Sequence, residues 1–422
     1  MIIWSYIGLI AVIYVCIRFI KKLGNSIPII ELILLISGLQ WIVGAFIEYR
    51  TSFQHYKYYM YVTEFTYMSY VVPAYLALVF FMIFTAKKVN KFDFSVIQIH
   101  SYSRFGIVIL IIGIFSDIIR SSVPESLQFL LLLLANFKYI GAIILFFSNK
   151  KKHKYIFYAS LLYLVIISLR GGFFHDLILW STFFYMFWAF KKNFKIRKNI
   201  LIIIIGFFLS TAIQAAKSEY RQLIWNGYSG SYSMLFVEII NKKISGGLAE
   251  NVDQQSELNV RLNQGWIISA IMYYTPRIQS YANGETIEEA VYASLLPRFL
   301  DPNKKIAGGV ENFEKYTGIS LEENTSMGMS LVGEGYANFG IFGGIIFMGV
   351  WGFLLGKCWV YLIKRINKDN VLVFFLPLIF LQVVKAETEL VVVLNHLVKA
   401  TILVLLFLWF SKKILHINYK NA

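Results

Sequence analysis

The stretch LLLLANFKYIGAIILFFSNKKKHKYIFYASLLYLVIISLRGGFFHDLILWSTFFYMFWAFKKNFKIRK, residues 131–198, decides the fold. It holds three apolar runs, each of about the length that crosses a bilayer core. The connections after the first and third runs are lysine-rich: Lys150, Lys151, Lys152 and Lys154, then Lys191, Lys192 and on to Lys198. Between the second and third runs lies a tight turn, Gly171-Gly172, flanked by Arg170, His175 and Asp176. Lysine-rich connections stay on the cytoplasmic side of a membrane, so the glycine hairpin faces outside.

The same pattern extends in both directions. Apolar runs fall near 2–20, 27–46, 64–86, 105–119, 127–148, 155–170, 174–190, 199–215, 336–361, 370–386 and 391–410. Lys and Arg cluster after the odd-numbered runs: Lys21-Lys22, Lys87-Lys88 with Lys91 and Arg104, the two clusters above, Lys364-Arg365 with Lys368, and Lys412-Lys413. The expectation is an all-α polytopic membrane bundle of about eleven transmembrane helices. Its N-terminus is outside, its C-terminus is inside, and it has one large outer loop. It divides as 1–214 (spans one to eight), 215–335 (the loop) and 336–422 (spans nine to eleven and a cytoplasmic tail).

Composition agrees. Of the 422 residues 58% are hydrophobic and 15% charged, and the mean hydropathy is +0.62, more apolar surface than a soluble domain hides. Continuous rather than alternating runs argue against a transmembrane barrel. The net charge of +16 follows the topology and the attraction of anionic lipid, so it does not indicate a nucleic-acid partner. Cys16 and Cys358 lie in apolar runs and read as buried thiols. The first run lacks a basic flank and a cleavage site, and reads as a retained helix.

The outer loop is too long to be a mere connector. Met234–Ile240, Trp266–Tyr274 and Ile287–Leu296 read as short helices on the membrane surface or over the bundle. Its candidate phosphate-binding cations are Arg221, Arg261, Arg277, Arg298, Lys304 and Lys305. Arginine forks match phosphate oxygens, and lysine adds point charge. Exposed salt bridges are the plain alternative, and Arg261 is assigned to that. Arg298, in LLPRFLDPNKK, is bracketed by prolines and apolar neighbours, which favours a held, functional side chain.

Glu334 sits between Gly333 and Gly335 before span nine. It is a candidate general base, and equally a helix N-terminal capping residue. Gly340-x-x-x-Gly344 and Gly352-x-x-x-Gly356 read as close helix packing. At the outer hairpin the convergence of Arg170, His175 and Asp176 favours function over a snorkelling anchor. Lys138 in mid-span reads as a structural ion pair with Asp117. Lys385, Glu387, Glu389, His396 and Lys399 either line a cavity or pair internally. No Walker loop, metal-ligand spacing or nucleophile elbow is present, and no metal or cofactor is expected.

PRFLDPNKK at 297–305, followed by GEGYANFGIFGG at 333–344, resembles the Wzy-type oligosaccharide repeat-unit polymerases of O-antigen and capsule synthesis. Arg298, Pro302, Lys305, Glu334, Asn338, Phe339 and Gly340 occupy that family's PR-x-x-x-P-x-K and E-x-x-x-N-F-G places. Ile306 stands where the family has a further proline. SLRGG at 168–172 is similar to the family's S-R-G helix end, with Leu169 inserted.

The resemblance implies a metal-independent glycosyltransferase similar to the GT-C-like membrane enzymes. It would join undecaprenyl-pyrophosphate-linked oligosaccharides on the outer face of the bacterial cytoplasmic (inner) membrane, beside a flippase and a chain-length regulator. Arg170, Arg298, Lys305 and Arg277, with Arg221 and Lys304, would hold the pyrophosphate, which leaves as an anion needing fixed positive charge. Glu334 or His175 would be the base. Outer aromatics such as Trp225, Tyr228, Tyr232 and Tyr336 offer sugar-stacking faces, although most aromatics are interfacial or core. A ligase that passes the chain to a lipid acceptor shares these features. A lipid-linked glycan transporter would instead use midplane charges such as Lys138, Asp117 and Lys399. A purely structural scaffold leaves the PR-x-x-x-P-x-KK cluster without a reason.

Overall fold

The computed structural model describes residues 3–51, 58–87, 102–148, 150–172, 174–245, 262–296, 310–321 and 325–413. Among them every regular element is helical, apart from one isolated bridge between Leu23 and Ser26. In chain order the helices are α1 (Ile3–Lys22), α2 (Ile29–Glu48), α3 (Glu64–Ala86), α4 (Ser103–Ser122), α5 (Glu125–Phe146) and α6 (Lys151–Gly171). Next come α7 (His175–Lys191), α8 (Ile196–Trp225), α9 (Tyr232–Ser245), α10 (Gly265–Tyr274), α11 (Glu285–Leu295) and α12 (Val310–Thr317). The last are α13 (Leu331–Ile366), α14 (Leu376–Ile379) and α15 (Leu390–Lys413).

Nine of these, α1 to α6, α8, α13 and α15, are long and apolar enough to cross a membrane. The two other expected spans depart in different ways. The run at 174–190 is helical as α7, and its 17 residues sit at the short end of the spanning range. The run at 370–386 is not one helix. A 3-10 segment, Asn370–Phe375, leads into the four-residue α14, and turns follow. Pro377 near the start of α14 brings no N–H and constrains the residue before it, which interrupts a helix arriving from upstream. Irregular backbone is tolerated beside lipid only when protein covers it, and Val371 through Leu381 are all buried.

The helix α8 runs ten residues past the expected end of span eight. The apolar run stops near Ala215, yet AKSEYRQLIW is built of good helix formers, so the helix continues while its polarity changes. Its most apolar window is only 17% buried, which leaves Phe207, Phe208 and Leu209 exposed as lipid-facing residues are. The three loop stretches read as short helices are α9, α10 and α11, and α12 is a fourth that the sequence reading did not single out.

The chain forms two compact units. One comprises Met1–Phe19, Ile29–Phe92 and Leu262–Phe410; the other comprises Ile20–Pro28, Asp93–Arg261 and Ser411–Ala422. In the first, α3 and α13 make the most extensive helix pair. Small residues allow it: a Cβ on Gly344, Gly352 or Gly356 would lie 2.5 Å from Tyr70 Oη, 2.7 Å from the Leu78 carbonyl or 2.6 Å from Thr85 Cβ. Gly340, the expected partner of Gly344 in a packing motif, does something else. Its φ of +66° and ψ of −157° break α13 after two turns, a conformation open to glycine and costly for other residues.

In the second unit α5, α6 and α7 pack through aromatic rings. Phe146 stacks on Phe157 at 4.1 Å, and Tyr139 meets Trp180 at 4.7 Å. Lys138 and Asp117 form the expected ion pair, Tyr163 donates to the same carboxylate at 3.0 Å, and the ammonium lies about equally over the Tyr139 and Tyr163 rings.

Candidate functional site

The first unit contains a buried polar network centred on Glu334. The sequence NGET at 283–286 starts α11: Gly284 is left-handed with φ +101°, and Thr286 follows in the first turn. Glu334 lies in the first turn of α13, one face of which packs on α10. Thr286 Oγ1 donates to Glu334 Oε1 at 2.7 Å, and the Leu390 N–H donates to Glu334 Oε2 at 2.6 Å. Asn338, one helical turn on, donates to Thr286 Oγ1 at 2.8 Å and to the Glu334 carbonyl at 2.9 Å. Its own side-chain oxygen accepts from the Gly284 N–H at 2.9 Å. Glu334 is 1% exposed and Asn338 fully buried.

The break at Gly340 explains why the loop attaches here. It displaces the intrahelical partners of the preceding carbonyls, and two of those carbonyls turn to the loop. Ala282 N–H donates to Ala337 O at 2.9 Å and Asn283 N–H to Asn338 O at 3.1 Å. Tyr281 packs against Gly340, and its ring meets Tyr336 edge-on at 6.2 Å; Tyr336 in turn meets Tyr70 at 5.1 Å. The E-x-x-x-N-F-G segment is therefore a latch. It ties the strand of loop entering α11 to the first part of α13 and to the N-terminus of α15.

Glu334 thus caps a helix, although not its own. Its carboxylate accepts the first free N–H of α15, where negative charge also complements the helix dipole. With both oxygens already accepting hydrogen bonds, the residue is placed to position the elements around it. Arg277 is exposed on the connection between α10 and α11, with its guanidinium 4.9 Å from the Tyr273 ring centre.

The remaining described candidates belong to the second unit. Gly172, φ +68°, ends α6 in a left-handed cap. Arg170 is exposed in the last turn of α6, and His175 is half-buried at the start of α7. Arg221 reaches from α8 and donates through Nε to the Gly172 carbonyl at 2.8 Å, with its guanidinium 5.3 Å from the Trp225 ring centre. Tyr220 beside it donates to the Leu169 carbonyl at 2.8 Å. The last turns of α8 therefore clasp the carbonyl end of α6, where a cation is favoured. So Arg170, His175 and Arg221 share one neighbourhood, while Glu334 and Arg277 lie in the other unit. Arg298, Lys304 and Lys305, and with them Arg261, lie outside the described residues.

Sequence reasoning missed Thr286, the hub between Glu334 and Asn338. The Asn-Gly pair before it marks a turn into a helix, but nothing in the pattern says that the threonine faces a buried carboxylate. On α15, His396 donates through Nε2 to the Leu378 carbonyl at 2.7 Å, so it serves the interrupted 370–386 stretch. Among the described residues no three His, Cys, Asp or Glu side chains converge as a metal site requires. Comparison with protein-family models, with curated proteins and with solved structures found no match.

Proposed function

We propose that this protein is an integral-membrane glycosyltransferase that polymerises lipid-pyrophosphate-linked oligosaccharide units at the outer face of a bacterial cytoplasmic membrane. The observation that carries the reading is the latch. Glu334, Asn338 and Gly340, the residues that carry the sequence resemblance, are joined in one buried network that fixes the loop preceding the PRFLDPNKK segment. A site for an anionic leaving group needs its cations held in advance rather than recruited from a floppy loop.

In this reading the departing pyrophosphate is met by Arg277 together with Arg298, Lys304 and Lys305. The anomeric carbon–oxygen bond to the pyrophosphate breaks as a hydroxyl of the incoming unit attacks, and a base takes the hydroxyl proton. Glu334 is not that base, because it already spends both oxygens on hydrogen bonds. Glu334 contributes by position.

The test uses the full chain in nanodiscs with lipid-pyrophosphate oligosaccharide from the source organism. A ladder of longer lipid-linked chains, lost in Arg298→Ala with the protein still folded, is the expected result. Transfer of sugar to a lipid acceptor in place of a ladder would replace polymerase by ligase. The break at Gly340 and the irregular 380–389 backbone also suit a transporter, whose sites sit at interrupted helices. Movement of the lipid between leaflets with no glycosidic product would favour that reading.

A further inference from the structure

Beside the latch, in the same unit, the surface carries a row of tyrosines that nothing above uses. Tyr59 and Tyr61 lie on the segment just before α3, and their rings stack at 4.4 Å with 23° between planes. Tyr61 reaches Tyr273, at the end of α10, at 6.1 Å. Arg277 closes the row over Tyr273. Tyr59 is 37% and Tyr273 44% exposed.

The row is fixed from below. Met60, between the stacked tyrosines, is buried, and Asn263 contacts its sulfur. Tyr58 packs on Trp266 at 4.8 Å. The Tyr61 N–H donates to Ser269 Oγ at 3.0 Å, and Ser269 is itself buried and bonded to the Trp266 carbonyl. Burial first, and then the neighbouring Tyr59 hydroxyl, push the Tyr61 hydroxyl up to about 12, so it remains a proton donor at neutral pH. Rings whose backbones are pinned this way lose little freedom on meeting a ligand.

We propose that Tyr59, Tyr61, Tyr273 and Arg277 form a glycan-binding platform, on which consecutive sugar rings lie against the aromatic faces. The chemistry selects the ligand. Flat aromatic faces accept the C–H faces of pyranose rings, while the phenol rims and the guanidinium offer donors to hydroxyls or to an acidic sugar. One cation among three tyrosines is too little positive charge for a nucleic acid, whose backbone demands many. An acyl chain needs no phenol rim or guanidinium. These rings come from two separate segments and contact one another. The identification of the glycan as part of the lipid-linked substrate rests on the function proposed above; sugar binding itself does not.

The probe is the lipid-free oligosaccharide released by mild acid from the source organism's lipid-linked units. Saturation-transfer NMR on the full chain in nanodiscs reads its binding. Tyr59→Ala and Tyr273→Ala are expected to weaken binding about tenfold each, within the range of lost aromatic contacts, while Tyr59→Phe and Tyr273→Phe keep the faces and most of the affinity. In the polymerisation assay the Ala variants should raise KM for the oligosaccharide with little change in kcat. Wild-type protein that polymerises but gives no sugar signal, or Ala variants that bind and react like wild type, would overturn the platform and leave the polymerase reading standing. Quenching of these tyrosines by lipids brominated near the headgroup would also overturn it, in favour of a membrane belt. Sugar binding lost in the Ala variants, in a protein that makes no polymer, would uphold the platform and remove the polymerase reading.

Discussion

Replacing Glu334 by Ala removes the acceptor for two donors, Thr286 Oγ1 and the Leu390 N–H, in residues that are 2% and 3% exposed. A hydrogen bond to a charged group contributes about 1.5–3 kcal/mol, and each donor left dry costs a comparable amount. The expected loss is about 3–5 kcal/mol, a large share of a typical stability. Glu334→Gln keeps one carbonyl oxygen but turns an amide N–H₂ toward the other donor, for a loss of about 1–3 kcal/mol. Equilibrium denaturation in mild detergent, followed by tryptophan fluorescence, measures both. A double-mutant cycle with Thr286→Val isolates the pair and should show about 1–2 kcal/mol of coupling. Polymer formation is measured on the same samples. If Glu334 acts by position, activity follows stability, and Glu334→Gln retains more of both than Glu334→Ala. A Glu334→Gln protein as stable as wild type but inactive would refute the latch and restore Glu334 as the base. An Ala variant within about 0.5 kcal/mol of wild type would refute it as well.

Other outcomes follow from the same geometry. Gly352→Val should cost about 1–3 kcal/mol, because its Cβ would meet the Leu78 carbonyl at 2.7 Å, whereas Gly206→Ala, with open space around it, should be neutral or up to about 1 kcal/mol stabilising. Gly340→Ala should cost about 1–3 kcal/mol and loosen the loop attachment, seen as faster proteolysis around residue 282. Lys138→Met alone should cost about 3 kcal/mol by stranding Asp117, and Lys138→Met with Asp117→Leu should recover most of it. Burial alone would push the Lys315 ammonium down, but its bond to Glu285 at 3.1 Å holds it above the ordinary value. A raised base stabilises below its unfolded value and loses that contribution as pH rises through the folded one. Stability should therefore fall slightly above about pH 10, by less than about 1 kcal/mol for so exposed a pair, and Lys315→Met should abolish that fall.

How much of this was readable in the sequence varies by element. The apolar runs behind α1 to α6, α13 and α15 announce themselves, because crossing a bilayer demands many apolar residues in succession, and composition alone records that. The true end of α8 was hidden, since helix-forming polar residues continue a helix without continuing its hydropathy. The interruption at 370–386 was hidden for the opposite reason. The run is mostly apolar and Pro377 alone marks a break in it, while burial by the rest of the protein is what lets Asn370–Phe375 and the turns after Ile379 leave the α conformation.

The candidate site divides in the same way. The residue types at Glu334, Asn338 and Gly340 stand out locally, and so do the charges at Arg170, His175 and Arg277. Their roles do not. Whether Glu334 caps its own helix or another depends on the N-terminus of α15, fifty-six residues away in sequence. Whether Arg221 is free for a ligand depends on where α6 ends against α8. Gly340 reads as a packing glycine until its backbone angles make it a break. Hydropathy and charge are sums over neighbouring residues, so the sequence by itself determined the membrane-helix class and the candidate residues. Hydrogen-bond partners and backbone breaks are set by atoms brought together across the chain, and only the tertiary structure decided those.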